Sequence, residues 1–454
     1  MRRGPGALIA LALAGCAGPA IQTAAVPALG TPAGWRVAEP GDLVVGADWW
    51  TSFGDPVLDR LVADTLAGND DIGIAVARVR EARAQEQLAR AASLPTLDAG
   101  AGGATSRSVS AFGTPLEQTA VQPQVQIGYE VDLFGRIDDE KNAARQAYLA
   151  SASARDAVRL AVAGSTASGY INLLALDARL DVAKETLRAR DEARRLARSR
   201  TGAGYAPMLE LRQAEAEYEA TARIVPQVEL AIRRQENALR FLAGQAPGPI
   251  ARGKPLADLD FPAVAAGLPS ELLRRRPDIA EAEYRLAASD SNLAAARKRF
   301  LPQVRLTGSA GYAISTLLAD PISLFSLGGS ILAPIFSGGR LEAQAEGAAA
   351  RRDQAAFAYR RTALGAFREV EDALAASQRL DEQRAIAAAQ VAQLAEGLRL
   401  ATNRYRAGYS PYLEQLDAQR GLLSARLGLI DDIAAALTSR VQLFAALGGG
   451  WDGV

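Results

Sequence analysis

Two stretches decide how this chain folds: GYSPYLEQLDAQ, Gly408–Gln419, and its echo GYAPMLELRQAE, Gly204–Glu215. Glycine, tyrosine, proline, leucine, glutamate and alanine recur at the same relative places, 204 residues apart. Gly204 and Gly408 supply the backbone freedom needed at a helix C-terminus. Pro207 and Pro411 suit the first turn of a helix running back. Before each turn lies an alanine-rich stretch, 136–200 and 340–405, and the first of these contains no proline. It predicts a helix of roughly 65 residues, about 97 Å at 1.5 Å per residue. Helices that long belong to coiled-coil or tubular packing rather than to a globular domain.

Outward from the turns the likeness continues. Gly135-Arg136 matches Gly339-Arg340 at the same offset of 204, and Leu94-Pro95 matches Leu301-Pro302 at 207. The chain is a tandem duplication of about 200 residues, each unit reading helix, strand, strand, long helix, turn, helix. Repeat 1 occupies 48–243, with its tip turn at 201–207 and return helix at 208–242. Repeat 2 occupies 278–447, with its turn at 406–411 and return helix at 411–447. A Gly/Pro-rich linker, 244–277, joins them, and 448–454 form a tail. The return helix of one repeat plus the first helix of the next nearly equals one long helix in length. The expected result is a four-helix slab, roughly 90–100 Å long.

Four strands interrupt the helices, at 94–104, 121–133, 302–313 and 324–336. In PQVQIGYEVDLF, 123–134, Val125, Ile127, Tyr129, Val131 and Leu133 alternate with polar residues or glycine, the period of a half-buried strand. In the fourth strand Phe325, Leu327, Gly329, Ile331, Ala333 and Ile335 share a face. Each strand is near the length that crosses a bilayer at a tilt. A small soluble sheet capping a helical bundle is the alternative. A sheet in lipid cannot leave open edges, so four strands per chain require closure with other chains. Two chains give an eight-stranded barrel filled by side chains, and three give twelve strands and room for a pore.

Composition narrows the function. Among 454 residues, 51 Lys and Arg balance 51 Asp and Glu, so no basic field points at nucleic acid. There is no histidine, which removes the commonest metal ligand and general base. The one cysteine, Cys16, excludes internal disulfides and a thiolate metal cluster. No catalytic residue, metal site or cofactor is assigned, and the protein is not expected to be an enzyme. Gly248 to Lys254 superficially fits GxxxxGK, but Pro255 stands where Ser or Thr binds magnesium, and no strand precedes it. Arg274-Arg275-Arg276-Pro277-Asp278 reads as a helix start, with Asp278 at the positive end of the dipole. The N-terminus, MRRGPGALIALALAGC, has a positive start and an apolar run too short to span a bilayer. Leu13-Ala14-Gly15-Cys16 resembles a bacterial lipobox, so 1–15 read as a signal peptide and Cys16 as the lipidated first residue of a tether, 16–47. Ala17 after the cysteine implies the outer membrane under the usual sorting pattern.

DWWTSFGDPVLDRLVADTLAGNDDI, LPSELLRRRPDIAEAE at 268–283, FLPQVRLTGSAGY and RYRAGYSPYLEQLDAQR together resemble the outer-membrane efflux protein family. This is the TolC-like group, specifically its NodT/OprM-type lipoprotein branch, and the resemblance covers essentially the whole mature chain. It implies a mainly α fold with transmembrane β: a homotrimer whose helices form a periplasmic α-barrel and whose strands form a twelve-stranded β-barrel. It implies an exit duct for small molecules or drugs, working with a periplasmic adaptor and an inner-membrane pump of RND type. The same fold supports type I protein secretion. A non-porous periplasmic helical scaffold is the competitor from another class.

The resemblance also places site residues. The adaptor would dock around the tips, at Gly204, Tyr205, Pro207, Gly408, Tyr409 and Pro411. An apolar ring and acidic rings would narrow the closed tube at Leu413, Glu414 and Asp417. Glu414 and Asp417 are three apart and share a helix face. Threefold symmetry would gather six carboxylates, whose repulsion and desolvation raise some of their pKa values. A gate latch falls on Tyr405, with Glu210 as its acid. Some relatives carry an arginine where this chain has Ser410, and Arg404 or Arg406 would substitute.

Overall fold

The computed structural model describes residues 21–37 and 43–451, so Cys16 and the signal segment 1–15 lie outside the described residues. A 3-10 turn, Trp49–Phe53, precedes α1 (Pro56–Gly68) and α2 (Asp70–Ala91). The hairpin of β1 (Thr96–Val109) and β2 (Pro115–Val131) leads into α3 (Arg136–Gly202), and α4 (Met208–Ala222) and α5 (Ile224–Leu242) run on from the turn. A loop with one 3-10 turn, Leu256–Asp258, reaches α6 (Pro269–Arg275) and α7 (Pro277–Lys298). Then come β3 (Gln303–Ser315), β4 (Ile322–Leu332), α8 (Arg340–Arg406) and α9 (Tyr412–Ala446).

Local chemistry explains these boundaries. Asp55 accepts from the Val57 amide at 2.8 Å with Pro56 at the first helical position, and Asn69 Oδ1 accepts from the Ile72 amide at 3.1 Å. Three features depart from the sequence reading. The return helix expected at 208–242 is interrupted at Arg223, whereas its counterpart α9 runs 35 residues unbroken. Pro226 has no N–H, and its ring crowds the carbonyl four residues back, at Ala222. The segment 244–277, read as linker, holds the helix Pro269–Arg275. The strands also shift, for β1 and β2 extend further into the hairpin, while β4 ends at Leu332 instead of 336. Polar pairs such as Arg107 with Glu117 carry the first hairpin onward, and alternation of apolar residues cannot reveal them. Pro334, without an amide donor, closes β4.

The four strands form one antiparallel sheet in the order β1-β2-β3-β4, so β1 and β4 are edges. Its register sorts the side chains by row. Leu97, Ile127, Gly308 and Leu327 lie across from one another; the next row is Asp98, Gln126, Ser309 and Ser326. One face is therefore apolar and the other polar. The apolar face has no core to pack on, since Phe325 is 88% and Leu327 89% exposed.

The chain divides into two compact units that cut across the repeats. One comprises Ala77–Ala152 and Glu281–Arg361, with the described part of Met1–Ala28; the other comprises Leu29–Val76, Ser153–Ala280 and Thr362–Val454. The first holds the sheet and a small core of Leu293, Ala348 and Ala349, against which Ile21 packs. There Arg297 donates to the Ile21 carbonyl at 3.1 Å, and the Ala24 amide donates to Asp353 at 2.8 Å. The second has an aromatic core in which the rings of Trp49 and Phe444 stack at 5.1 Å, beside Phe53. Buried Asp55 ties this core to the loop after α5, accepting from Tyr170 Oη at 2.9 Å and the Lys254 amide at 3.0 Å. Among the described residues no helix is long and apolar enough to cross a membrane.

Candidate functional site

The two turns are built alike. Gly204 and Gly408 both take φ of 79°. The Tyr205 amide donates to the Arg200 carbonyl at 2.8 Å and the Gly204 amide to that of Thr201 at 3.1 Å. In the second turn the Tyr409 amide donates to Arg404 at 2.9 Å and the Gly408 amide to Tyr405 at 3.0 Å. These paired bonds are the Schellman ending, which needs a left-handed residue at that glycine. Pro207 and Pro411 then cap the helices that follow. Tyr205 and Tyr409 are 87% and 83% exposed, and Met208, Leu209 and Leu413 are also exposed. Each turn therefore presents apolar side chains outward.

Just inside the turns one small core draws on four helices: Ala193 and Ala197 of α3, Leu211 and Ala214 of α4, Tyr405 of α8, and Tyr412 and Leu416 of α9. Tyr405 Oη donates to the Glu210 carboxylate. Burial first, and the Glu210 carboxylate second, push the Tyr405 phenol up to about 12, so it stays a hydrogen-bond donor. The Arg200 guanidinium lies 4.6 Å from the centre of the same ring and donates to the Arg406 carbonyl at 3.3 Å.

The residues read as a constriction begin α9. Leu413 is half exposed. Glu414 pairs with Arg404 at 3.1 Å, and Asp417 lies 4.0 Å from Arg420. Arg404 thus faces Glu414 within its own hairpin rather than Glu210. The Arg406 guanidinium makes no ion pair among the described residues, and the buried Ser410 hydroxyl has no hydrogen-bond partner there.

A buried charge cluster two helical turns further along α4 was missed. Glu217 Oε2 lies 2.5 Å from Arg190 Nη1 of α3, and its Oε1 accepts from Arg420 Nε of α9 at 2.9 Å. The Arg190 side chain is only 4% exposed and also donates to the Glu217 carbonyl at 2.8 Å. Burial pulls that guanidinium below its ordinary value, though an arginine so placed remains charged. Beyond it Arg426 pairs with Glu185 at 3.0 Å and Arg179 with Asp431 at 3.1 Å, so α3 and α9 run antiparallel along a ladder of ions. The one available signal was that Glu217 follows Glu210 by seven residues, two turns along one face of α4.

Chemically the site offers links and charges, with no nucleophile set beside a base. Among the described residues no group of three or more potential ligands could hold a metal ion. What the arrangement can do is hold two helical hairpins together, or release them.

The family model of the outer membrane efflux protein matches residues 61–245 and 268–449. The pyoverdine export outer membrane protein OpmQ of Pseudomonas putida is 33% identical over 98% of this chain and 96% of its own length. Outer membrane protein OprJ of Pseudomonas aeruginosa is 36% identical over 98% of this chain and 95% of its own. A crystal structure of a Pseudomonas aeruginosa membrane protein covers 94% of this chain and 99% of its own, with 34% identity and a TM-score of 0.87. The duplicated hairpins and four-stranded sheet are thus shared along nearly the whole chain, which belongs to the outer membrane efflux protein family.

Proposed function

We propose that this protein is the passive exit duct of a tripartite efflux system, carrying small molecules from an inner-membrane pump and periplasmic adaptor through the outer membrane. The observation that carries the reading is the sheet: two unpaired edges, one apolar face without a core, one polar face. Backbone groups at an edge in lipid must find partners. Three copies, each joining β4 to the next copy's β1, close twelve strands around the polar face, with the apolar face outward. Lipidation at Cys16 holds the chain to the membrane. The pump is of RND type in this reading, and a pump partner is supported by relatives such as TtgC of Pseudomonas putida, a probable efflux pump outer membrane protein. The exposed tyrosines of the two turns are where the adaptor's helices dock.

The turns also carry the gate. Tyr405 with Glu210 fastens the second hairpin to the first, and Leu413, Glu414 and Asp417 from three copies narrow the opening. Because Glu414 and Asp417 each have an arginine close by, the ring is a lattice of alternating charge, which weakens the repulsion that six bare carboxylates would suffer. Single-channel conductance in planar bilayers tests this. The wild type should show a small, cation-selective conductance that rises and loses selectivity in Glu414→Ala/Asp417→Ala. No conductance from either well-folded protein sinks the duct and favours a non-porous scaffold.

A further inference from the structure

We propose that Arg340, together with Ile335 and Phe336, binds the phosphate headgroup of a phospholipid at the rim of the sheet; the inference rests on the membrane-embedded sheet proposed above. The duplication supplies an internal control. In repeat 1, β2 passes through Leu133-Phe134-Gly135 into Arg136 at the start of α3. That arginine is fully committed inside the chain: Nη2 lies 2.5 Å from Glu130 Oε1 and Nη1 2.9 Å from Glu140 Oε2, and its side chain is 16% exposed.

In repeat 2, β4 passes through Ile335-Phe336-Ser337-Gly338-Gly339 into Arg340 at the start of α8. Nothing acidic stands between Ile322 and Arg340, and Gln344 occupies the place of Glu140. Glu342 is the acid in the first turn of α8, but two positions on it points about 200° round the helix from Arg340. The cations at the end of α7 are engaged at the start of α3, Lys298 with Asp139 at 2.7 Å and Arg299 with Glu140 at 3.1 Å. Arg340 is exposed and makes no ion pair among the described residues. The same scaffold that neutralises its arginine in repeat 1 leaves a bare guanidinium in repeat 2.

Its surroundings specify what neutralises it. Ile335 is 98% and Phe336 91% exposed, and Ile331 and Leu332 just before them are 73% and 72% exposed. Ile331 belongs to the apolar side of the sheet, and Ile335 and Phe336 lie exposed just past its last hydrogen bond. An apolar patch of that kind with an aromatic residue at its margin marks the interfacial girdle of a membrane barrel. A guanidinium four residues beyond Phe336 sits at headgroup level, where it can bond a phosphate through two N–H groups while the acyl chains cover the patch. A soluble anion would leave Ile335 and Phe336 in water, so the occupant that fits is an amphiphile.

Native mass spectrometry of the full-length, delipidated protein in detergent tests the site. The probes are palmitoyl-oleoyl-phosphatidylglycerol and, as a phosphate-free control, dioleoylglycerol. The wild type should retain one phosphatidylglycerol per chain. Arg340→Gln should lower that retention about tenfold, the effect of losing a charge-assisted hydrogen bond, and Arg340→Lys should keep most of it. Dioleoylglycerol should bind weakly and equally to all three. Equal phosphatidylglycerol retention by wild type and Arg340→Gln overturns the site while leaving the duct intact. So does an Arg340→Gln oligomer that falls apart with lipid retention unchanged, which assigns Arg340 to an acid of a neighbouring copy. A wild type that retains neither lipid and stays dispersed without detergent removes the embedded sheet itself.

Discussion

The Tyr405 hydroxyl is one of the links that hold the first hairpin to the second. Tyr405→Phe keeps the buried ring and removes the donor to Glu210, so the expected loss of stability is small, about 1 kcal/mol. On the proposed gate, conductance should rise, because the variant removes a link between the hairpins while the ring stays in the small core. The sign of the pH effect follows from the raised phenol. Its proton is held more tightly folded than unfolded, so the bond is intact below the ordinary value near 10. It is lost as pH rises from there through about 12. Conductance should be independent of this group between pH 5 and 9 and climb above 10, and Tyr405→Phe should abolish the climb; a wild type that opens in mild acid instead would point to the carboxylates. Tyr405 and Glu210 were legible in the sequence because they accompany a recognisable turn. Glu217, Arg190 and Arg420 were not, because an arginine buried against a carboxylate and one in solvent look alike in a charge-rich helix. Only the packing of α4 and α9 against α3 leaves Arg190 at 4% exposure.

At the scale of elements, turns and breakers were the most readable features, and Gly253 shows where that reading stopped. In sequence it belongs to a failed phosphate motif. In the fold its amide donates to Tyr170 Oη at 2.9 Å, and a Cβ there would meet Asp55 Oδ1 at 2.0 Å. Its role is close approach, letting the loop after α5 reach the cap of α1 and the middle of α3. Gly253→Ala should cost roughly 2–3 kcal/mol, seen as a lower thermal midpoint, while Gly248→Ala, whose new Cβ meets nothing nearer than 3.6 Å, should be close to neutral. Equal midpoints for the two would mean that the loop moves aside freely. Pro226 taught a different lesson. Summed over 208–242 the helical tendency was correct, but one missing N–H divides the segment into α4 and α5.

For the whole molecule, the two faces of the sheet set what each substitution does. Leu327 and Ser326 are neighbours on β4 and point to opposite faces. Leu327→Arg should cost about 2–4 kcal/mol of assembly and deplete the detergent-resistant oligomer on unheated gels, since it places charge toward lipid. Ser326→Arg faces the polar side and should assemble normally, changing only ion selectivity. The reverse pattern would turn the sheet inside out and refute the barrel. Alternation marked this face in the sequence, but it could not find the hairpin ends, where Arg107 lies across from Glu117 and apolar contrast disappears.

The sequence by itself determined the duplication, the two turns, the long helices, the four two-faced strands and the family. All of these rest on local rules: periodicity of apolar side chains, glycine where φ must be positive, proline where no donor is needed. Tertiary structure alone decided which charges meet. Arg188 and Arg190 lie two residues apart in α3, yet Arg190 is buried against Glu217 of α4 while Arg188 is exposed. Likewise Arg404 turned to Glu414, leaving Glu210 to Tyr405. An ion pair depends on a few ångströms of separation between distant segments, and no spacing along the chain encodes that distance.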